Sequence, residues 1–87
     1  MIFLARVFVS LKPTVNDPEG QTIHSGLRQL GFSAVDGVRT GKYIEIRLRC
    51  ESEKTANSTV AEMCQRLLAN PVIENCRFDL EHLADQQ

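Results

Sequence analysis

The sequence predicts an α+β domain of order βαββαβ, and three observations predict it. Four stretches carry the apolar and polar residues of a strand, most of them in period-two alternation. Two stretches repeat apolar residues at helical spacing. Turn and cap residues separate the six segments, with no linker or low-complexity run between them. At 87 residues the chain makes one small domain, residues 1–87.

The first strand runs from Ile2 to Leu11, with Phe3, Ala5, Val7, Val9 and Leu11 on one face and Ile2, Leu4, Arg6, Phe8 and Ser10 on the other. Asp17 then caps a helix whose first position is Pro18, where no backbone N–H is needed. Ile23, Leu27 and Leu30 recur at i, i+4 and i+7, and Gly31 supplies the left-handed residue that commonly ends a helix. Gly26 within that helix costs about 1 kcal/mol against alanine, which close packing on a sheet would explain.

Residues 32–40 read as a second strand, bent at Asp36-Gly37, and Thr40-Gly41 turns the chain into a hairpin. The returning arm places Ile44, Ile46, Leu48 and Cys50 on one face and Tyr43, Glu45, Arg47 and Arg49 on the other. A second helix is expected from Glu53 to Ala69 on Ala56, Val60, Met63, Cys64, Leu67 and Leu68, stopped by Asn70-Pro71. Cys76, Phe78, Leu80 and His82 alternate along a last strand before a frayed tail at residues 84–87.

This order is that of the ferredoxin-like split βαβ fold, in which two crossovers place both helices on one face of a four-stranded antiparallel sheet. The other face is left bare and carries Ile2, Leu4, Phe8 and Tyr43 amid Arg6, Arg47 and Arg49. Either a second copy covers that face or these are scattered surface apolar residues, and a domain this small gains stability by oligomerising.

Composition excludes several classes. Ten basic and eleven acidic residues leave a net charge of -1, so no overall field attracts nucleic acid or anionic membrane. No apolar run approaches the ~20 residues of a membrane span, and Arg6 interrupts the N-terminal run too early for a signal peptide, so a cytoplasmic protein is expected. Cys50, Cys64 and Cys76 are odd in number and form no C-x-x-C pair, which points to core packing; with His24 and His82 isolated, no metal site is expected. Glu51 and Glu53 suit a solvated loop, and Ser25 and Ser58 have no histidine at a suggestive spacing, so no catalytic residue is assigned.

Two clusters keep a remainder that local structure does not absorb. Asp17, Pro18 and Gly20 serve helix initiation, but Lys12-Pro13 is not needed for it, and a cation at a stiffened strand exit suggests a fixed contact. Val38-Arg39-Thr40-Gly41-Lys42-Tyr43 can be a soluble turn, or a basic tip that meets a carboxylate, phosphate or partner surface through Arg39 and Lys42.

At these residues the chain resembles the PurS family, the small subunit of phosphoribosylformylglycinamidine synthase in purine biosynthesis. The resemblance is carried by Leu11-Lys12-Pro13, Val15, Asp17-Pro18 with Gly20, Leu27 with Leu30-Gly31-Phe32, Val38-Arg39, Gly41-Lys42, Cys64, and the run from Leu67 through Asn70-Pro71 to Glu74. Asn16 and Ser25-Gly26 are local departures. It implies a homodimer, or a dimer of dimers, that joins a large synthetase subunit to a glutaminase subunit. In such a complex the synthetase activates formylglycinamide ribonucleotide with ATP and magnesium, and the glutaminase releases ammonia from glutamine. The small subunit itself binds no cofactor and supplies no catalytic residue. On this reading Lys12, Pro13, Arg39, Gly41 and Lys42 dock partners, and Asp17, Pro18, Gly20, Gly31, Asn70 and Pro71 shape the fold.

Rival readings on the same fold are weaker. An ACT-like regulatory domain would carry its glycine loop directly after the first strand, and Gly20 comes late for it. An RNA binder would show several exposed aromatics on the third strand, where Tyr43 stands alone. An acylphosphatase would need a glycine-rich loop with an arginine after the first strand, and a metallochaperone would need paired cysteines there.

Overall fold

A computed structural model describes residues 1–83 of the chain; the tail expected at residues 84–87 lies outside the described residues. Strand β1 (Ile2–Leu11) leads to helix α1 (Pro18–Gln29), strand β2 (Gly41–Arg49), helix α2 (Glu53–Met63), a π turn at Cys64–Leu68 and strand β3 (Glu74–Leu83). The sheet has three strands in the order β2-β1-β3, with both outer strands antiparallel to β1. β2 and β3 therefore run parallel to each other with β1 between them, joined by α2.

Register puts the apolar positions of all three strands on one face. Ala5 sits between Ile46 and Leu80, and Val7 between Ile44 and Phe78. Against this face α2 lays Ala56 and Val60, and the π turn adds Cys64, all buried with Phe3, Ala5, Val7 and Val9. These apolar side chains are the core, each contributing about 1.5–3 kcal/mol of burial when large.

Three expectations are corrected. The sheet has three strands, not the four of a ferredoxin-like fold, because residues 32–40 join no ladder. Their polar groups have other partners. The Val35 carbonyl bonds His24 Nε2 at 3.0 Å and accepts from Arg28, and the Thr40 N–H donates to the Asp17 carboxylate at 2.7 Å. With no second strand there is no hairpin, and Gly41 opens β2 instead of turning the chain. The two helices also meet the sheet unequally: α2 packs on it, whereas α1 buries only Gly20. Space around Gly26 is correspondingly open, since a Cβ added there would meet nothing within 4 Å.

The helix limits follow their caps. Asp17 accepts from the Gly20 N–H at 3.0 Å, and Gly31 takes φ +99° just past the C-cap Leu30. Ser52 caps α2 by accepting from the Thr55 N–H at 3.1 Å. The expected Glu53–Ala69 helix changes character at Cys64, where the wider π turn closes with Ala69 N–H donating to the Cys64 carbonyl at 3.1 Å. Asn70 and Pro71 do stop it. The Asn70 carbonyl receives the Glu74 N–H at 2.7 Å, and the Glu74 carboxylate receives the Asn70 N–H at 2.7 Å, a reciprocal pair that feeds the chain into β3.

Candidate docking site at one end of the sheet

Four segments that are far apart in sequence meet where β1 ends and β2 begins. Lys12 leaves β1 with its N–H bonded to the Ile73 carbonyl at 2.8 Å, which ties the Lys12-Pro13 exit to the turn after Asn70-Pro71. Arg39 lies across the same exit and donates to the Lys12 carbonyl at 3.0 Å and the Val15 carbonyl at 2.8 Å. Asp17 closes the group. Its carboxylate, only 3% exposed, accepts from the Gly20 N–H, the Thr40 N–H and the Thr40 hydroxyl. The Thr40 N–H, followed by that of Gly20, holds the Asp17 carboxyl below its ordinary pKa, because each bond favours the ionised form.

Two glycines are fixed by close approach at this end, not by turn geometry. A Cβ on Gly20 would stand 2.5 Å from the Val38 carbonyl oxygen, and one on Gly41 would stand 2.6 Å from that of Val9. Gly20 thus lets residues 38–40 cross the start of α1, and Gly41 lets β2 enter beside Ser10.

The result is a braced platform. Arg39 is committed to backbone carbonyls, whereas Pro13, Gly41 and Lys42 are exposed and Lys12 is half-buried. A cleft of about 440 Å³ opens between Lys42, Glu19 and Glu74, floored by Val9 and Leu11. A second of about 310 Å³ lies between Lys12, Pro71 and the Cys64 and Cys76 thiols. Burial pushes the Cys64 thiol up to about 12, with Cys76 beside it adding to the effect, so Cys64 stays a neutral core group. Among the described residues no three His, Cys, Asp or Glu side chains gather as a metal site. His24 is held at the Val35 carbonyl, and His82 lies against the Phe3 ring at 5.1 Å between centroids.

Sequence reasoning named the Lys12 and Arg39–Lys42 segments but missed Thr40, which links them through Asp17; its one signal was a hydroxyl residue inside the dense Arg39–Lys42 cluster. The sheet face opposite α2 is laced with charge. Arg6 pairs with Glu81 at 2.5 Å, Arg77 stands 4.1 Å over the Phe8 ring, and the Tyr43 hydroxyl donates to Glu45 at 2.7 Å. Leu4 sits between Arg47 and Glu81, and Ile2 is buried between Arg49 and Leu83.

A three-stranded antiparallel sheet with two helices, braced at one end by its loops, defines a small α+β protein. The profile of the PurS family, described as phosphoribosylformylglycinamidine (FGAM) synthase, matches residues 4–82. The PurS subunit of Synechocystis sp. is 49% identical over 78 residues, covering 90% of this chain and 78% of that protein. The PurS subunit of Bacillus subtilis is 38% identical over 98% of this chain and 100% of its own length. Among solved structures, Methanocaldococcus jannaschii PurS aligns with a TM-score of 0.83 at 41% identity, covering 94% of this chain and 99% of that one. A chain of the Thermotoga maritima PurLQS structure aligns at 0.86 and 31% identity, over 93% and 99%. The chain belongs to the PurS family, a subunit of FGAM synthase in purine biosynthesis. No described helix is long and apolar enough to cross a membrane.

Proposed function

We propose that this chain is the non-catalytic bridging subunit of a cytoplasmic FGAM synthase, joining the ATP-dependent synthetase subunit to the glutaminase subunit as part of a homodimer or dimer of dimers. The convergence of Lys12-Pro13, Arg39-Thr40-Gly41-Lys42 and Asn70-Pro71 on one braced end of the sheet carries this reading. A loop platform fixed before binding loses little entropy when a partner docks on it. The half-buried Lys12 and the exposed Lys42 supply the charge-assisted contacts, Pro13 and Gly41 shape the surface, and Arg39 and Asp17 hold it in place.

The chemical benefit is positional. Ammonia released into neutral water is protonated and loses the lone pair that attacks the activated amide. Holding the glutaminase beside the synthetase raises the local ammonia supply without any new catalytic group. ATP, magnesium and glutamine are then used by the larger subunits.

The test is charge reversal at Lys12 and Lys42, read by capture of both larger subunits and by glutamine-dependent synthesis. Each of Lys12→Glu and Lys42→Glu should weaken capture by roughly tenfold or more, equivalent to about 1.4 kcal/mol, with the thermal midpoint unchanged. Full capture and full glutamine-dependent turnover by both variants would overturn the assignment.

A further inference from the structure

Helix and strand deliver two thiols to one place. Ala56, Val60 and Cys64 follow one another at intervals of four along α2 and into the π turn, and all three are buried against the sheet. On β3 the core-facing positions are Cys76, Phe78 and Leu80, and Cys76 pairs with Val9 near the end of β1. Cys64 and Cys76 therefore meet in one core layer, the second thiol beside the first.

The pair is open to small molecules. The cleft of about 310 Å³ bounded by Lys12, Gln65, Pro71 and Phe78 reaches both cysteines, of which Cys76 is half-buried and Cys64 is 7% exposed. Hydrogen peroxide is little larger than water, whose share of liquid volume is about 30 Å³, so it enters with room to spare. Core packing, the ordinary use of a free cysteine, accounts for Cys64 but not for a second sulfur facing it across an open cleft.

The third cysteine is elsewhere. Cys50 follows β2 at the opposite end of the sheet, where its N–H bonds the Met1 carbonyl. Arg49 before it pairs with Ile2, and the run of β1 from Ile2 to Val9 spans roughly 23 Å at strand spacing. Within one chain Cys50 cannot bridge to either of the others.

We propose that Cys64 and Cys76 are a peroxide-sensitive thiol pair that closes to a reversible disulfide. The Cys76 sulfur attacks one oxygen of hydrogen peroxide, the O–O bond breaks, and Cys76 becomes a sulfenic acid while the other oxygen leaves as water. The Cys64 sulfur then attacks the Cys76 sulfur and displaces its oxygen, which takes the Cys64 proton and leaves as a second water. Each sulfur is oxidised by one electron and the peroxide is reduced by two. Burial pushes the Cys64 thiol up to about 12, so it holds that proton until the second step, and the more exposed Cys76 is the group oxidised first. A thiol reductant reverses the bond, and in a reducing compartment such disulfides are transient and serve as sensors. The link ties the π turn to β3 and closes residues 64–76 into a loop. That loop holds Asn70-Pro71 and the Ile73 carbonyl that receives the Lys12 N–H, so oxidation stiffens the end of the sheet where Lys12 leaves β1. The inference is independent of what docks there.

Stoichiometric hydrogen peroxide added to the purified, reduced full chain tests it. Free thiols should fall from three to one, with the mass lower by two hydrogens, and dithiothreitol should restore all three. Trypsin cuts after Lys54, Arg66 and Arg77, so the disulfide should appear as residues 55–66 joined to residues 67–77. The oxidised chain should unfold at higher urea than the reduced one. Cys50→Ser should go from two free thiols to none. Cys64→Ala should stop at a Cys76 sulfenic acid that dimedone captures, and Cys76→Ser, changed at a half-buried position, should keep both of its thiols. Three free thiols after treatment, oxidation of Cys50 ahead of the pair, or a disulfide between two chains as the first product would overturn the proposal.

Discussion

Asp17 is read from sequence as a helix cap, and it is one, yet two of the three donors to its carboxylate, an N–H and a hydroxyl, belong to Thr40, 23 positions away. The sequence offers the cap because it is local; the partner is invisible until the chain folds. The lowered Asp17 pKa has a direct consequence. A carboxyl whose folded pKa lies below its unfolded value of about 3.9 contributes stability fully above that value and loses it as pH falls through the folded one. Wild-type urea midpoints should therefore drop on acidification below about pH 4. Asp17→Asn, which sets an amide donor against the Thr40 N–H, should lower the midpoint at pH 7 and flatten the acid limb. Parallel curves for the two proteins would show that Asp17 does not carry this dependence.

At the scale of elements, glycine separates what the ladder needs from what it tolerates. Gly41→Ala would force a Cβ to 2.6 Å from the Val9 carbonyl, and both atoms belong to paired strands that cannot part easily. It should cost about 1–3 kcal/mol, measured by urea unfolding; a neutral result would mean the β2 entry can shift. The three observed strands and the start of both helices were legible because alternation and capping are local signals. Residues 32–40 were not. Val35, Val38 and Thr40 have the composition of a strand, but Asp17, His24 and Arg28 claim that segment's polar groups before any ladder can. The Ile23-Leu27-Leu30 stripe likewise says that α1 has a face to bury without saying on which molecule. For the proposed docking site, the Lys12 and Lys42 segments could be named from residue type, but their union required Arg39 to reach two carbonyls more than twenty positions back.

The whole molecule measures 52 × 30 × 15 Å, a flat shape that leaves the apolar side of α1 and the β2 half of the core open together. Hydrophobic burial scales with area removed from water, so a protomer of this shape forfeits the contribution that a compact chain of equal length would gain. In the homodimer proposed for it, stability would depend on the second copy, and by mass action on concentration. For a dimer that unfolds to two monomers, each tenfold rise in protein concentration adds about 1.4 kcal/mol to the unfolding free energy at fixed denaturant. The urea midpoint of the wild type should rise steadily between low and high micromolar protein. A wild-type midpoint that does not move with concentration would mean that the protomer is stable alone, with its open sheet and unpacked helix both solvated.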